Sequence, residues 1–106
     1  MFFELRFYPI YPGKMNEWIK QMENVVIPYQ ASMGMDFVGS FVSLDNPDEY
    51  IWIRRFENDE ERKRIYRAMY ENDVWIKEIA PKNEEMVDRE KIRVIRMESA
   101  PGSLIR

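Results

Sequence analysis

Apolar residues fall on nearly every second position from Phe2 to Tyr8, from Phe37 to Leu44 and from Tyr50 to Phe56, and on every third or fourth position in two longer stretches. The first rhythm is that of a strand, whose side chains alternate between faces, and the second that of a helix, whose apolar stripe recurs at each turn. A further run, Lys91 to Glu98, is rich in Ile and Val without clean alternation and reads as a last strand. The order is therefore strand, helix, strand, strand, helix, strand. In the first strand Phe3, Leu5 and Phe7 point one way, while Phe2, Glu4, Arg6 and Tyr8 point the other.

Punctuation along the chain agrees with this order. Pro9 and Pro12-Gly13 end the first strand, since proline has no N–H for the ladder and glycine tolerates turn geometry. Met15, Trp18, Ile19, Met22, Val25, Val26, Tyr29 and Met33 form one helical stripe. Pro28 removes a hydrogen bond late in that helix, which predicts a distortion near Asn24 to Ile27, and Gly34 supplies a left-handed end. The Asp45 to Glu49 segment is a turn joining two strands in a hairpin; it lacks the ligand spacing of a calcium loop. Asn58 with Glu61 three residues later resembles a capping box, with Ile65, Tyr66 and Met69 inside and Asp59, Glu60, Lys63 and Arg64 on a solvated face. Val74, Trp75 and Ile79 predict a further helical turn, and Pro81 the start of another that holds Met86 and Val87.

Two strand-helix-strand units joined by a hairpin specify an α+β, ferredoxin-like βαββαβ fold over a single domain, residues 1–106, with a four-stranded antiparallel sheet and helices on one face. Two helices leave the second face uncovered. Glu4, Arg6 and Tyr8 are expected there with Tyr50, Trp52, Arg54 and Phe56, a surface too aromatic for open water that calls for a second copy of the chain.

Composition narrows the function classes. With 45% hydrophobic and 33% charged residues the chain is a folded, soluble type, and its net charge of −3 provides no field for a phosphate backbone, so no nucleic-acid role is expected. No run approaches the roughly 20 apolar residues of a membrane span, so no membrane role and a cytoplasmic location are expected. There is neither histidine nor cysteine. That removes thiol and imidazole nucleophiles and the commonest zinc sites, and no metal or cofactor is expected. P-loop and dinucleotide fingerprints are missing too.

The run Phe3-Glu4-Leu5-Arg6-Phe7-Tyr8 followed by Pro12-Gly13-Lys14 resembles the opening of NIPSNAP-family proteins, close to Y-E-L-R-x-Y and then P-G-K. Ile53-Arg54-Arg55-Phe56-Glu57 resembles the family's third strand and its exit, Glu61-Arg62 the next helix start, and Asp73-Val74-Trp75 its D-P-x-W turn, with Val74 in place of the proline. The resemblance spans nearly the whole chain. It implies a dimeric α+β barrel, a homodimer in which two sheets face each other and the helices lie outside. The family often carries His then Trp on the third strand; this chain has Trp52 and Arg54. A histidine-dependent role, or histidine-ligated haem, therefore does not carry over. The same barrel occurs in cofactor-free monooxygenases and small isomerases, but a fold does not transfer chemistry.

The candidate chemistry is consequently built on charge and aromatic groups. Glu4 and Arg6 share a strand face, and with Arg54 beside them they form a carboxylate flanked by guanidiniums, suited to an acidic or enol-like substrate or, more plainly, to an ion-pair network setting register at a dimer seam. Arg6 and Arg54 are the candidates for stabilising an enolate, Tyr8, Tyr50 and Tyr66 for passing protons, and Trp18, Trp75 and above all Trp52 for stacking on a ring. Glu4 completes the binding set, and Met33 is a candidate for an adaptable apolar wall, although methionines and tyrosines on such stripes also serve simply as core. The expectation is a small-molecule-binding dimeric barrel, with cofactor-independent monooxygenation or isomerisation of a small aromatic or enolisable substrate as its enzymatic form. A non-enzymatic protein-protein interaction module is the alternative.

Overall fold

The computed structural model describes residues 1–106, with strands β1 (Phe2–Pro9), β2 (Asp36–Val42), β3 (Glu49–Phe56) and β4 (Arg93–Met97) in one antiparallel sheet ordered β2-β3-β1-β4. This is the ferredoxin-like βαββαβ arrangement, with β1 and β3, the first strand of each strand-helix-strand unit, side by side at the centre. Glu4 pairs with Arg54, Arg6 with Trp52 and Tyr8 with Tyr50, so these six side chains share one face.

The helices cover that face and leave the other. The first, α1 (Met15–Gln21), passes through a π-helical turn (Met22–Val26) into α2 (Ile27–Ser32); the second, α3 (Asp59–Tyr70), is followed by a π-helical turn (Trp75–Ile79), α4 (Ala80–Glu84) and a short 3-10 turn (Arg89–Lys91). Pro28 and Pro81 each lie four residues beyond the middle of a π turn, at Asn24 and Lys77. A proline cannot donate to the carbonyl four residues back and its ring crowds that carbonyl, so the helix widens by one residue there. The distortion expected from Pro28 is thus present, and Pro81 repeats it in the second half. Met86 and Val87 fall beyond α4, against expectation: Val87 bridges to Ile10 instead, and the chain from Glu85 onward turns back to the sheet.

Local signals in the sequence hold at the other boundaries. Gly34 takes φ +98°, a left-handed conformation that a side chain resists. The Asn58 side chain accepts the Glu61 N–H at 2.8 Å, and Glu61 reaches back to accept the Glu57 N–H at 3.2 Å.

Trp18, Met22 and Val26 are buried against Tyr8, Tyr50 and Trp52, with Trp18 0% exposed. A second apolar group, Met35, Phe56, Ile65 and Met69, packs under α3. The face expected at a dimer seam is therefore inside the protomer. Alternation alone does not decide which face the helices take, and the greasier one invites the wrong choice. Helix α3 resolves it by delivering Arg62, Tyr66 and Tyr70 to the charged positions of β1 and β3. The face left open carries Leu5, Phe7, Ile51, Ile53 and Ile95, and only its Phe3 end is buried, where the C-terminal residues fold back so that Ile105 and Phe3 line one groove.

Candidate functional site

Glu4 and Arg54 project from adjacent central strands into the layer between sheet and helices, and both are essentially inaccessible, at 1% and 0% exposure. Glu4 accepts hydrogen bonds from Arg6 Nη1 at 3.0 Å, from Arg62 Nε at 2.7 Å and from the Tyr66 hydroxyl. Arg54 Nη1 lies 3.9 Å from the same carboxylate and donates to the Tyr66 hydroxyl at 2.9 Å, while its Nη2 donates to Gln30 Oε1 at 3.2 Å. Three guanidiniums thus surround one carboxylate. The Arg54 guanidinium also lies 4.3 Å from the Trp52 ring centroid, a cation–π contact that offsets part of its desolvation.

The electrostatics follow from this packing. Burial by itself pushes the Glu4 carboxyl up, but hydrogen bonds from Tyr66 and Arg62 and the charges of Arg6 and Arg54 outweigh it and hold the group below the usual carboxylate range. The Tyr66 hydroxyl is pushed up to about 12, chiefly by burial, with Arg54 and Arg6 pulling it down and its bond to Glu4 adding to the rise. At neutral pH, Glu4 is charged and Tyr66 is a neutral donor.

Beside this cluster lies a cavity of about 250 Å³ between the sheet and the helical layer. Arg6, Tyr8, Trp18, Tyr66 and Trp75, five of the candidate residues, line it together with Tyr70. Its aromatic wall is built by edge contacts, Tyr66 to Tyr70 at 5.3 Å and Tyr70 to Trp75 at 5.0 Å between centroids. Arg89 and Asn83 bring polar groups from the second helical unit. Glu4, Arg54 and Trp52 do not line the cavity but stand behind Arg6 and Tyr8 as its support, with Tyr8 edge-on to Trp52 at 5.5 Å. Met33 lies elsewhere, at the end of α2 against the Met35 and Met69 group, so it forms no wall of this cavity. No group of three or more carboxylates converges anywhere in the structure.

Sequence reasoning missed Arg62, Tyr70 and Arg89 at the site. Arg62, Tyr66 and Tyr70 are spaced four apart on α3, a stripe that places all three over the sheet. That spacing is readable in the sequence, but Arg62 sits between the solvated positions Glu60 and Lys63, and nothing local marks it as an inward residue. Arg89 has no such spacing, because it arrives on a turn.

The NIPSNAP family model matches residues 3–101. The chain belongs to the NIPSNAP family. Among solved structures, a NIPSNAP family protein from Agrobacterium tumefaciens is 23% identical and superposes with a TM-score of 0.88, covering 99% of this chain and 98% of that one. A second NIPSNAP family protein from the same organism, described as of unknown function, is 24% identical, with a TM-score of 0.90 over 100% of this chain and 94% of that one. An antibiotic biosynthesis monooxygenase shares the fold at 13% identity and a TM-score of 0.67, covering 95% of this chain and 100% of that one. No curated protein matches the chain. The NIPSNAP fold is thus related to that of a monooxygenase, and at such identities the likeness concerns the fold alone.

Proposed function

We propose that this NIPSNAP protein binds a small organic molecule in the cavity between its sheet and helices. The observation that carries the reading is the cavity itself: about 250 Å³, walled by Tyr8, Tyr66, Tyr70 and Trp75, with Arg6 as its buried charged group. An interaction module without chemistry has no need of such a space, which equals about eight water volumes at roughly 30 Å³ each. In its enzymatic form the reading is cofactor-independent monooxygenation or isomerisation of a small aromatic or enolisable substrate. Arg6, braced by Glu4 and Arg54, stabilises the enolate; Tyr66 holds the proton that returns to it. In isomerisation an enolate formed in water enters the cavity, and Tyr66 gives its proton to carbon and regains one from water. Oxygenation consumes O2, forms one carbon–oxygen bond and releases the second oxygen atom as water, with the substrate supplying the electrons.

The protomer is proposed to work as a homodimer closed through the face of Leu5, Phe7, Ile51 and Ile53. The family resemblance implies two sheets face to face, and this is the face that the helices leave uncovered. Saturation-transfer NMR with one- and two-ring aromatic compounds tests the ligand reading. Binding should be lost in Ala80→Phe, since Ala80 lines the cavity and the added ring fills it. Binding that survives this change, or no binding of any member of the set, refutes it. Light scattering at micromolar concentration should give twice the chain mass for the wild type and the single mass for Ile53→Lys; a monomeric wild type refutes the dimer.

A further inference from the structure

The cavity wall carries more positive than negative charge and one open hydrogen-bonding edge, which specifies the ligand proposed above and holds only if that ligand site exists. We propose that the cavity takes a planar aromatic monoanion, a carboxylate or phenolate that arrives already ionised and docks on the free edge of Arg6.

Three observations carry it. The first is a surplus of positive charge: Arg6, Arg54 and Arg62 share Glu4 as their only ionic partner. Arg62 is 29% exposed and reaches water, whereas Arg54 is fully buried and Arg6 only 13% exposed. Buried charges are stable when paired, and here two interior cations divide one carboxylate that is also claimed by a third. A ligand anion supplies what is missing.

The second is the geometry of Arg6. Its Nε donates to the Tyr8 hydroxyl at 3.2 Å, and its Nη1 donates to Glu4 at 3.0 Å and to Tyr66 at 3.3 Å, but Nη2 has no partner in the protein. Arg6 borders the cavity, so the guanidinium is held rigid on two sides and offers its remaining nitrogen to a ligand. One open edge suits a singly charged group. Arg89 adds a second guanidinium on the wall, tied by a single bond to Glu84 at 2.7 Å.

The third is the lack of a base. The titratable residues lining the cavity are Arg6, Arg89 and the tyrosines Tyr8, Tyr66 and Tyr70. The carboxylates bonded to that lining are both engaged, Glu4 by Arg6, Arg62 and Tyr66, and Glu84 by Arg89 at 2.7 Å. No group there takes a proton from carbon or oxygen near neutral pH, so a substrate that must be anionic to react brings its charge with it. Size fixes the scaffold: an apolar space of roughly 150 Å³ holds a benzene, and 250 Å³ admits one or two fused rings.

The test compares shape-matched pairs, benzoate with benzamide and 2-naphthoate with 2-naphthamide, by calorimetric titration of the intact protein. The acid of each pair should bind at least tenfold tighter than the amide, and Arg6→Gln should erase that difference. Because Arg6→Gln also perturbs a buried cluster, a second readout uses the wild type alone. Bound 4-nitrophenol should show the absorbance of its phenolate and ionise at least one pH unit lower than in buffer. Amides that bind as tightly as acids, or nitrophenol bound neutral, overturn the anion while leaving the cavity as a ligand site. If no compound of either kind binds, the cavity reading falls and this inference with it.

Discussion

Glu4 is the position where the packing argument is most exposed to measurement. Its carboxylate is 1% accessible and accepts from Arg6, Arg62 and Tyr66 while neutralising Arg54 at 3.9 Å. Removing one partner of a buried ion pair leaves the other charged in a low-dielectric interior, at a cost of about 3–5 kcal/mol. With an unfolding entropy of about 2.1 cal/mol/K per residue, a chain of 106 residues loses roughly 4–5 °C per kcal/mol, so Glu4→Ala should lower Tm by roughly 13–22 °C. The exposed helix pair Asp59–Lys63, at 3.5 Å, is the control, and Asp59→Ala should cost less than about 1 kcal/mol.

Truncation also leaves a cavity, so size and charge must be separated. Glu4→Gln keeps the shape and one acceptor but removes the charge, and should retain most of the loss. Adding Arg54→Met to Glu4→Gln removes the cation that the first change strands, and should recover at least about 1 kcal/mol relative to Glu4→Gln alone. Urea denaturation of the four members of this cycle reads the coupling directly. A loss below about 1 kcal/mol in both Glu4 variants, or strict additivity with Arg54→Met, would refute the account of a buried and shared counter-charge.

The pH dependence has a definite sign at two groups. Glu4 is held below its unfolded value, so its contribution is present above the unfolded carboxylate range near 4.5 and fades as pH falls through the lower folded value; urea midpoints at acid pH should fall more steeply for wild type than for Glu4→Gln. Tyr66 is raised from 10.0 to about 12, so its contribution is complete below pH 10 and is lost as pH rises toward 12; the alkaline decline should be shallower in Tyr66→Phe. Asn58→Ala removes the acceptor for the Glu61 N–H and should cost about 1 kcal/mol by thermal denaturation. Gly34→Ala forces a side chain into φ +98° and should cost about 1 kcal/mol or more, although Ile65 at 3.8 Å leaves room for the methyl itself.

Periodicity made the strands, the hairpin and both helices legible, because each rests on local rules of spacing, capping and proline chemistry. The same rules placed a distortion near Asn24, four residues before Pro28. What they lacked was the choice of face. Phe3, Leu5 and Phe7 are the greasier side of β1, and Glu4, Arg6 and Tyr8 look like the side for water or a partner. The outcome depends on α3, whose Arg62 and Tyr66 reach across about 60 residues of sequence to the start of the chain while Tyr70 meets Arg54. A charge is fit for the interior only when its partners are known, and partners so distant in sequence are not read from spacing. The candidate residues were legible as a chemical set for that reason, and their common wall was not. Arg6, Tyr8, Tyr66 and Trp75 do meet at one cavity, but the helices bring them there.

This choice of face has a cost that bears on function. A buried ion cluster exchanged for apolar residues of similar volume is often neutral or more stable, so the Glu4–Arg54 network is weak evidence of a need for stability. The chain nevertheless sets Glu4, Arg6 and Arg54 beneath its helices, with Arg62 joining them from α3, and leaves Leu5, Phe7, Ile51 and Ile53 on the side where a lone domain would meet water. Both features make sense together only if each surface has an occupant to which it is matched. An apolar sheet is matched by another apolar sheet, and a cavity bordered by an under-neutralised guanidinium is matched by a small anion. The Glu4 network then acts as the frame that keeps Arg6 oriented, with Nε and Nη1 fixed and Nη2 free, and its net contribution to folding can be near zero without weakening that role.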